Sequence, residues 1–135
     1  MNATERRARG ALIVEDDPGQ SALGAVMLEE FDLSVRQVQT AEEAIEHLQA
    51  NGGDVSILVA DVNLPGSMDG VALARSVSVL WPAISLIVTS GDPGDRLSAL
   101  PPRCVYVPKP WRALDIVSAA EKGARADHSV HSIEL

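Results

Sequence analysis

The sequence predicts an α/β fold: a doubly wound, five-stranded parallel sheet in the order 2-1-3-4-5, with helices on both faces. Three observations predict it. Short β-rich runs alternate with helical patterns along the whole chain. The connections between them are short, which suits right-handed βαβ crossovers. The first and third apolar runs do not alternate with polar residues, as expected of strands buried on both faces. The stated order is the common one for five such strands.

"ALIVE" (Ala11 to Glu15) is the first strand. In "PGQSALGAVMLEEF" the residues Leu23, Val26, Met27 and Phe31 fall on one helical stripe, the expected inner face, and Gly24 permits close packing on the sheet. "LSVRQVQ" (Leu33 to Gln39) alternates, as a strand near an edge does. Thr40 and Glu43 form a capping box for a helix carrying Ala44, Ile45 and Leu48, which stops at Asn51-Gly52-Gly53. "VSILVAD" (Val55 to Asp61) is the third strand. The loop "NLPGSMDG" leads to a helix from about Asp69 to Leu80, closed by Trp81-Pro82. "AISLIVTS" is the fourth strand, and "GDPGDRLSAL" holds a short helix with Asp92 as cap and Pro93 in its first turn. "RCVYVPKP" is the fifth strand. Pro108 within it fits an edge position, which the predicted order provides. The last helix runs from about Trp111 to Ala126. The expected organisation is a flexible tail over 1–10, one domain over 11–126, and a polar C-terminal tail over 127–135.

The chain has 135 residues, enough for one domain with a substantial core. Hydrophobic residues make up 46% and aromatics only 3%, so the core is aliphatic. The formal net charge of −8 argues against gripping nucleic acid, which needs clustered cations. The basic stretch "RRAR" (Arg6 to Arg9) reads as a solvated part of the N-terminal tail. The single cysteine, Cys104, excludes an intrachain disulfide and Cys-rich metal sites. No apolar run reaches the roughly 18 residues of a membrane span, and no signal-peptide pattern opens the chain. These features predict a cytoplasmic protein without membrane insertion.

Ligands of open α/β sheets bind beyond the carboxyl ends of the strands, at the point where the strand order reverses. Strand one ends in Glu15-Asp16, strand three in Asp61, strand four in Thr89-Ser90 and strand five in Lys109. A strand-end aspartate alone is usually a turn or cap residue, a lone threonine a β-former, and a lone lysine a surface group. Three carboxylates, a hydroxyl and an ammonium converging on one rim are harder to assign to coincidence. Glu15, Asp16 and Asp61 supply hard oxygen ligands that suit Mg²⁺, with no His or Cys partner to argue for zinc. Lys109 adds a positive charge and Thr89 a hydroxyl donor, which together describe a phosphoryl site. A carboxylate can act as nucleophile and carry an acyl phosphate, and Asp61 is central enough to do so. Asp17, just before Pro18, is placed as N-cap of the first helix with proline at its first position.

"LIVEDDP", "ILVADVNLPGSMDG", "LIVTSGD" and "YVPKPW" resemble the receiver domains of two-component response regulators, chemotaxis-regulator-like and flavodoxin-like in fold. The similarity runs from about Ala11 to Ala126. It implies that Asp61 accepts a phosphoryl group from a histidine kinase or phosphotransfer protein. It implies that Asp16 and Asp61 bind Mg²⁺ with the backbone carbonyl of Asn63, and that Glu15 acts largely through water. Thr89 and Lys109 would contact the phosphoryl group, Tyr106 would be an aromatic switch, and Pro110 would follow a cis peptide bond. The implied protein is a signalling domain rather than an enzyme, which acts by binding a downstream protein or relaying phosphate.

Two features depart from the commonest family pattern. The loop after Asp61 is one residue longer, and the helical segment before strand five is short. The chain ends soon after the last helix, from which a single-domain regulator is expected. Asn63 and Gly91, each two residues past a site residue, are small, which predicts a short-lived acyl phosphate. Other readings stand beside this one. A phosphatase of the haloacid dehalogenase class also uses a strand-end aspartate, but needs a second acid where Asn63 stands. A flavin or nucleotide binder needs a phosphate cradle after strand one, where "EDDPG" is acidic. A receiver-like interaction module without phosphorylation is the third.

Overall fold

The computed structural model describes residues 9–92 and 94–134, with side chains through residue 123. Five parallel strands form one sheet in the order β2-β1-β3-β4-β5. They are β1 (Gly10–Val14), β2 (Ser34–Val38), β3 (Val55–Asp61), β4 (Ser85–Ser90) and β5 (Val105–Pro108). Four α-helices connect or follow them: α1 (Pro18–Glu29), α2 (Ala41–Asn51), α3 (Gly70–Leu80) and α4 (Ala113–Glu134). A six-residue 3₁₀ helix, Gly94–Ala99, stands between β4 and β5. Pro108 lies at the edge of the sheet, where its missing N–H costs no ladder bond.

The unbroken apolar runs are explained by two cores, one on each face. Leu12, Val14, Leu58, Ala60, Leu86 and Val88 point to α2 and α3, where they meet Leu48, Val71, Leu73 and Val77. The alternate residues Ala11, Ile13, Ile57, Val59 and Ile87 point to α1 and α4, where they meet Ala25, Leu28, Ile116 and Ala119. With side-chain period 2, a strand covered on both faces must be apolar at every position. Truncating a side chain such as Leu58, which is fully buried, costs about 2–5 kcal/mol in cores of this kind.

The inner face of α1 is not the expected one. Leu23 is 61%, Val26 57% and Phe31 39% exposed, Phe31 lying beyond the helix end, while Ser21, Gly24, Ala25 and Leu28 are buried. Of the expected stripe only Met27 packs against the core; Leu23, Val26 and Phe31 face outward because the small residues 21, 24 and 25 let the helix sit close to the sheet and to Trp111. A Cβ on Gly24 would come within 2.9 Å of the Trp111 ring. Close approach outweighs the larger apolar area of the other stripe.

Other boundaries moved for local reasons. The segment before β5 begins at Gly94, in a left-handed conformation (φ +60°), two residues past Asp92, whose N–H donates to Ser90 Oγ at 3.0 Å. Pro93 lies outside the described residues. Helix α4 continues through Glu134 where a tail was expected from 127, and no proline or glycine interrupts 124–134. Arg9, expected in a solvated tail, is tied down: its guanidinium donates to the Phe31 carbonyl at 3.2 Å, and its own carbonyl accepts from Ser34 N at 3.1 Å. The rest of that basic stretch lies outside the described residues. No helix among the described residues is long and apolar enough to cross a membrane.

Candidate functional site

The carboxyl ends of β1, β3, β4 and β5 meet at one rim. Glu15 follows β1 directly and its N–H still pairs with Val38 O at 3.0 Å, so the strand ladder fixes its position. Asp61 is the last residue of β3 and stands in register with Thr89 of β4. The Lys109 N–H pairs with Ser90 O at 3.1 Å, which brings the lysine across from the sheet edge. Gly70 completes the frame. Its N–H bonds Val62 O at 3.0 Å, and its missing Cβ leaves room for the Asp61 carbonyl against the start of α3.

Glu15, Asp16 and Asp61 form an acidic cluster whose carboxylate oxygens lie within 4.8 Å of one another. Glu15 and Asp61 are 7% and 8% exposed, while Asp16 is exposed. Lys109 Nζ enters the cluster, 2.7 Å from Glu15 Oε1 and 2.8 Å from Asp61 Oδ2. Glu15 Oε2 accepts the Asp17 N–H and Asp61 Oδ1 accepts the Asn63 N–H, each at 3.0 Å. Burial pushes the Glu15 carboxyl above the ordinary glutamate range, further than its bonds to Lys109 and Asp17 pull it back. Burial also works against the charge of Lys109, but its bonds to Asp61 and Glu15 outweigh this and raise its pKa.

Three carboxylates against one ammonium leave an uncompensated negative charge in a largely buried site. Oxygen donors alone, with no His or Cys, fit a hard divalent cation such as Mg²⁺. The chemistry of the donor set therefore suits the cation that the sequence suggests.

The remaining residues of interest lie around this cluster. Thr89 is buried and lines the same cavity as Asp61 and Lys109, a space of about 350 Å³ that continues between Leu23, Gly24, Met27 and Trp111. The Lys109–Pro110 peptide is cis. Tyr106 stands apart from the acids, its hydroxyl donating to the Ser90 carbonyl at 2.9 Å. Asp17 turns away from the cluster: its Oδ1 accepts the Gln20 N–H at 3.0 Å, with Pro18 in the first turn of α1.

Two roles at the site escaped the sequence reading, that of Gln20 and that of Ser90, which was placed on the rim with Thr89 but given no part. Gln20 Oε1 lies 2.7 Å from Lys109 Nζ. It is three residues past the cap of α1, so helical phase could have placed it above the end of β1. Ser90 is a polar hub whose Oγ accepts the Asp92 N–H at 3.0 Å and faces Asn63 Nδ2 at 3.4 Å. Nothing in "LIVTS" distinguishes it from an ordinary strand-end serine.

The chain is similar to known proteins in sequence and in fold. The family model described as "Response regulator receiver domain" matches residues 11–121. The sensor kinase CckA of Brucella abortus (strain 2308) is 29% identical over 114 residues, covering 82% of this chain and 12% of that protein. The autoinducer 1 sensor kinase/phosphatase LuxN of Vibrio campbellii (strain ATCC BAA-1116) is 31% identical over 85 residues, covering 63% of this chain and 10% of that protein. The chain thus spans about a tenth of the length of these curated relatives. A response regulator receiver domain protein (CheY-like) from Methanospirillum hungatei JF-1 superimposes with a TM-score of 0.74 at 23% identity, over 90% of this chain and 98% of that one. A receiver domain protein from Clostridium thermocellum gives 0.74 at 17% identity, over 90% and 98%. These two show the shared fold. The chain belongs to the response regulator receiver domain family.

Proposed function

We propose that the protein receives a phosphoryl group on Asp61 from a phosphohistidine donor and signals through the change this makes at the rim. The observation that carries the reading is Asp61 itself, a carboxylate ending a central strand among two further carboxylates and within 2.8 Å of the Lys109 ammonium. In the proposed step a carboxylate oxygen of Asp61 attacks phosphorus. The P–N bond to the donor imidazole breaks, and the imidazole nitrogen takes the electron pair. Mg²⁺, held by Glu15, Asp16, Asp61 and the Asn63 carbonyl, would neutralise charge on the phosphoryl oxygens. Glu15 would contribute largely through water. Lys109 supplies an N–H and a positive charge to the transferred group, and the Thr89 hydroxyl a second donor. Tyr106 sits where it can sense a shift of β4, since its hydroxyl already holds the carbonyl next to Thr89.

The donor class rests on the relatives, which are named as sensor kinases. We take the protein to be a cytoplasmic signalling domain without direct nucleic-acid binding, with a downstream protein as its output. The phosphatase reading is disfavoured at Asn63: its N–H donates to Asp61 Oδ1, and an amide cannot serve as the second acid. Incubation with Mg²⁺ and a small phosphodonor should add one phosphoryl group by intact mass, and Asp61→Asn should abolish it. A wild-type protein that gains none from a small donor or from a phosphorylated kinase would overturn the reading.

A further inference from the structure

Lys109 has three N–H donors, and all three are taken inside the domain. Nζ is 2.7 Å from Glu15 Oε1, 2.8 Å from Asp61 Oδ2 and 2.7 Å from Gln20 Oε1. An ammonium has no fourth donor. A phosphoryl oxygen that reaches Nζ must therefore displace one of these acceptors. The bonds to Glu15 and Asp61 join opposite charges in a largely buried place, and such bonds are the strong ones. Gln20 offers a neutral amide oxygen, and its side chain is exposed. It is the weakest of the three. Its backbone is also anchored independently of the lysine, because its N–H stays on Asp17 Oδ1 at 3.0 Å. The side chain can leave while helix α1 stays where it is.

We propose that Gln20 is a placeholder for the phosphoryl oxygen: its amide oxygen occupies the third N–H of Lys109 until Asp61 is loaded, and the incoming group replaces it. The inference rests on the reading of Asp61 as phosphoacceptor and adds a positioning residue to it, one that acts only through Lys109. Gln20 keeps the ammonium aimed at the rim, and it competes with the incoming group. Removing the amide while keeping the length of the side chain leaves that N–H to water, which moves aside more readily than a tethered acceptor.

The test uses beryllofluoride as the phosphoryl analogue with Mg²⁺ present, followed through the Thr89 amide by NMR titration. Gln20→Met should bind the analogue between about twofold and about tenfold more tightly than wild type, the range of one net hydrogen bond. Gln20→Ala should move the same way, so the result does not depend on one variant folding well. The Mg²⁺ affinity measured alone and the thermal midpoint should stay at wild-type values, since Gln20 belongs to neither the carboxylate set nor the core. Equal or weaker analogue binding in the variants, or a Mg²⁺ affinity that shifts by the same factor, would overturn the placeholder role. Failure of the wild-type protein itself to bind the analogue would instead refute the phosphoacceptor reading, and the inference with it.

Discussion

Arg96 closes a two-pronged bond on Asp69, with Nε 2.8 Å from Oδ2 and a terminal nitrogen 3.0 Å from Oδ1. Asp69 is also the N-cap of α3, accepting the Ala72 N–H at 2.8 Å. One carboxylate thus ties the helix that follows the Asp61 loop to the 3₁₀ segment before β5. Ser67 adds a second tie on the other side of this loop, its hydroxyl 2.8 Å from Glu42 of α2. The end of the loop that leads into α3 is thus tied to α2 on one side and to the 3₁₀ segment on the other.

Asp69→Ala should cost about 1–2 kcal/mol, mostly the lost cap. Arg96 and Asp69 are 47% and 32% exposed, so solvent screens the ion pair and it contributes the smaller part. Asp69→Asn keeps a capping oxygen and isolates that smaller part. Burial opposes the charge of Asp69, but Arg96 and the Ala72 N–H outweigh it and hold its pKa below the ordinary range. A lowered folded pKa gives stability that is present above the unfolded value of about 3.9 and lost as pH falls through the folded one. Urea unfolding should therefore show the gap between wild type and Asp69→Asn closing as pH drops below about 4. A gap that widens there would contradict the assignment.

Lys109→Ala leaves Glu15 and Asp61 buried without their countercharge. Stability at neutral pH without metal should fall by up to about 3 kcal/mol, the lower end of the cost of removing one partner from a buried pair. Added Mg²⁺ should restore most of it, because a divalent cation relieves the same repulsion. A variant as stable as wild type in metal-free urea titration would show that the ammonium is not the main relief of the acid cluster.

Much of this was legible in the sequence. The strand ends at Glu15, Asp61, Thr89 and Lys109 could be read because apolar runs stop sharply there, and a doubly wound sheet sends all such ends to one rim. Helix α1 was misread because helical periodicity weighs large apolar residues. Its true inner face is built from Ser21, Gly24, Ala25 and Leu28, chosen for closeness rather than area. Gln20, Ser90 and the Asp69–Arg96 pair were not legible for a different reason. The bonds of Ser90 to Tyr106, of Asp69 to Arg96 and of Gln20 to Lys109 span 16, 27 and 89 residues of sequence, and polar residues carry no periodic signal that would reveal such pairings.

Gly24→Ala puts the closeness of α1 to a test. The new methyl would stand 2.9 Å from Trp111 Cη2 and 3.3 Å from Ile13 Cδ1. Better helix propensity contributes about 1 kcal/mol, against an overpacking cost of about 1–3 kcal/mol. The variant should be between neutral and about 2 kcal/mol less stable, and Trp111 emission should shift to the red as the ring moves toward water. A gain of about 1 kcal/mol with unchanged emission would mean that the ring does not rest on this glycine.

The phosphorylated form should be short-lived. Asn63 is not bulky and Gly91 has no side chain, so, on the reading of Asp61 as phosphoacceptor, water should reach an acyl phosphate there. The half-life, followed with Mg²⁺ after removal of the donor, is the check. Persistence over many hours would count against an open approach.

The central claim is that Asp61 becomes the acyl phosphate. Borohydride reduces an aspartyl phosphate to homoserine, which marks the residue permanently. Protein loaded from a small phosphodonor with Mg²⁺, reduced and then mapped by peptide mass spectrometry should carry homoserine at position 61 and at no other aspartate. Homoserine at position 16 or 17 in place of 61, or at no aspartate despite an increase in intact mass, would contradict the account.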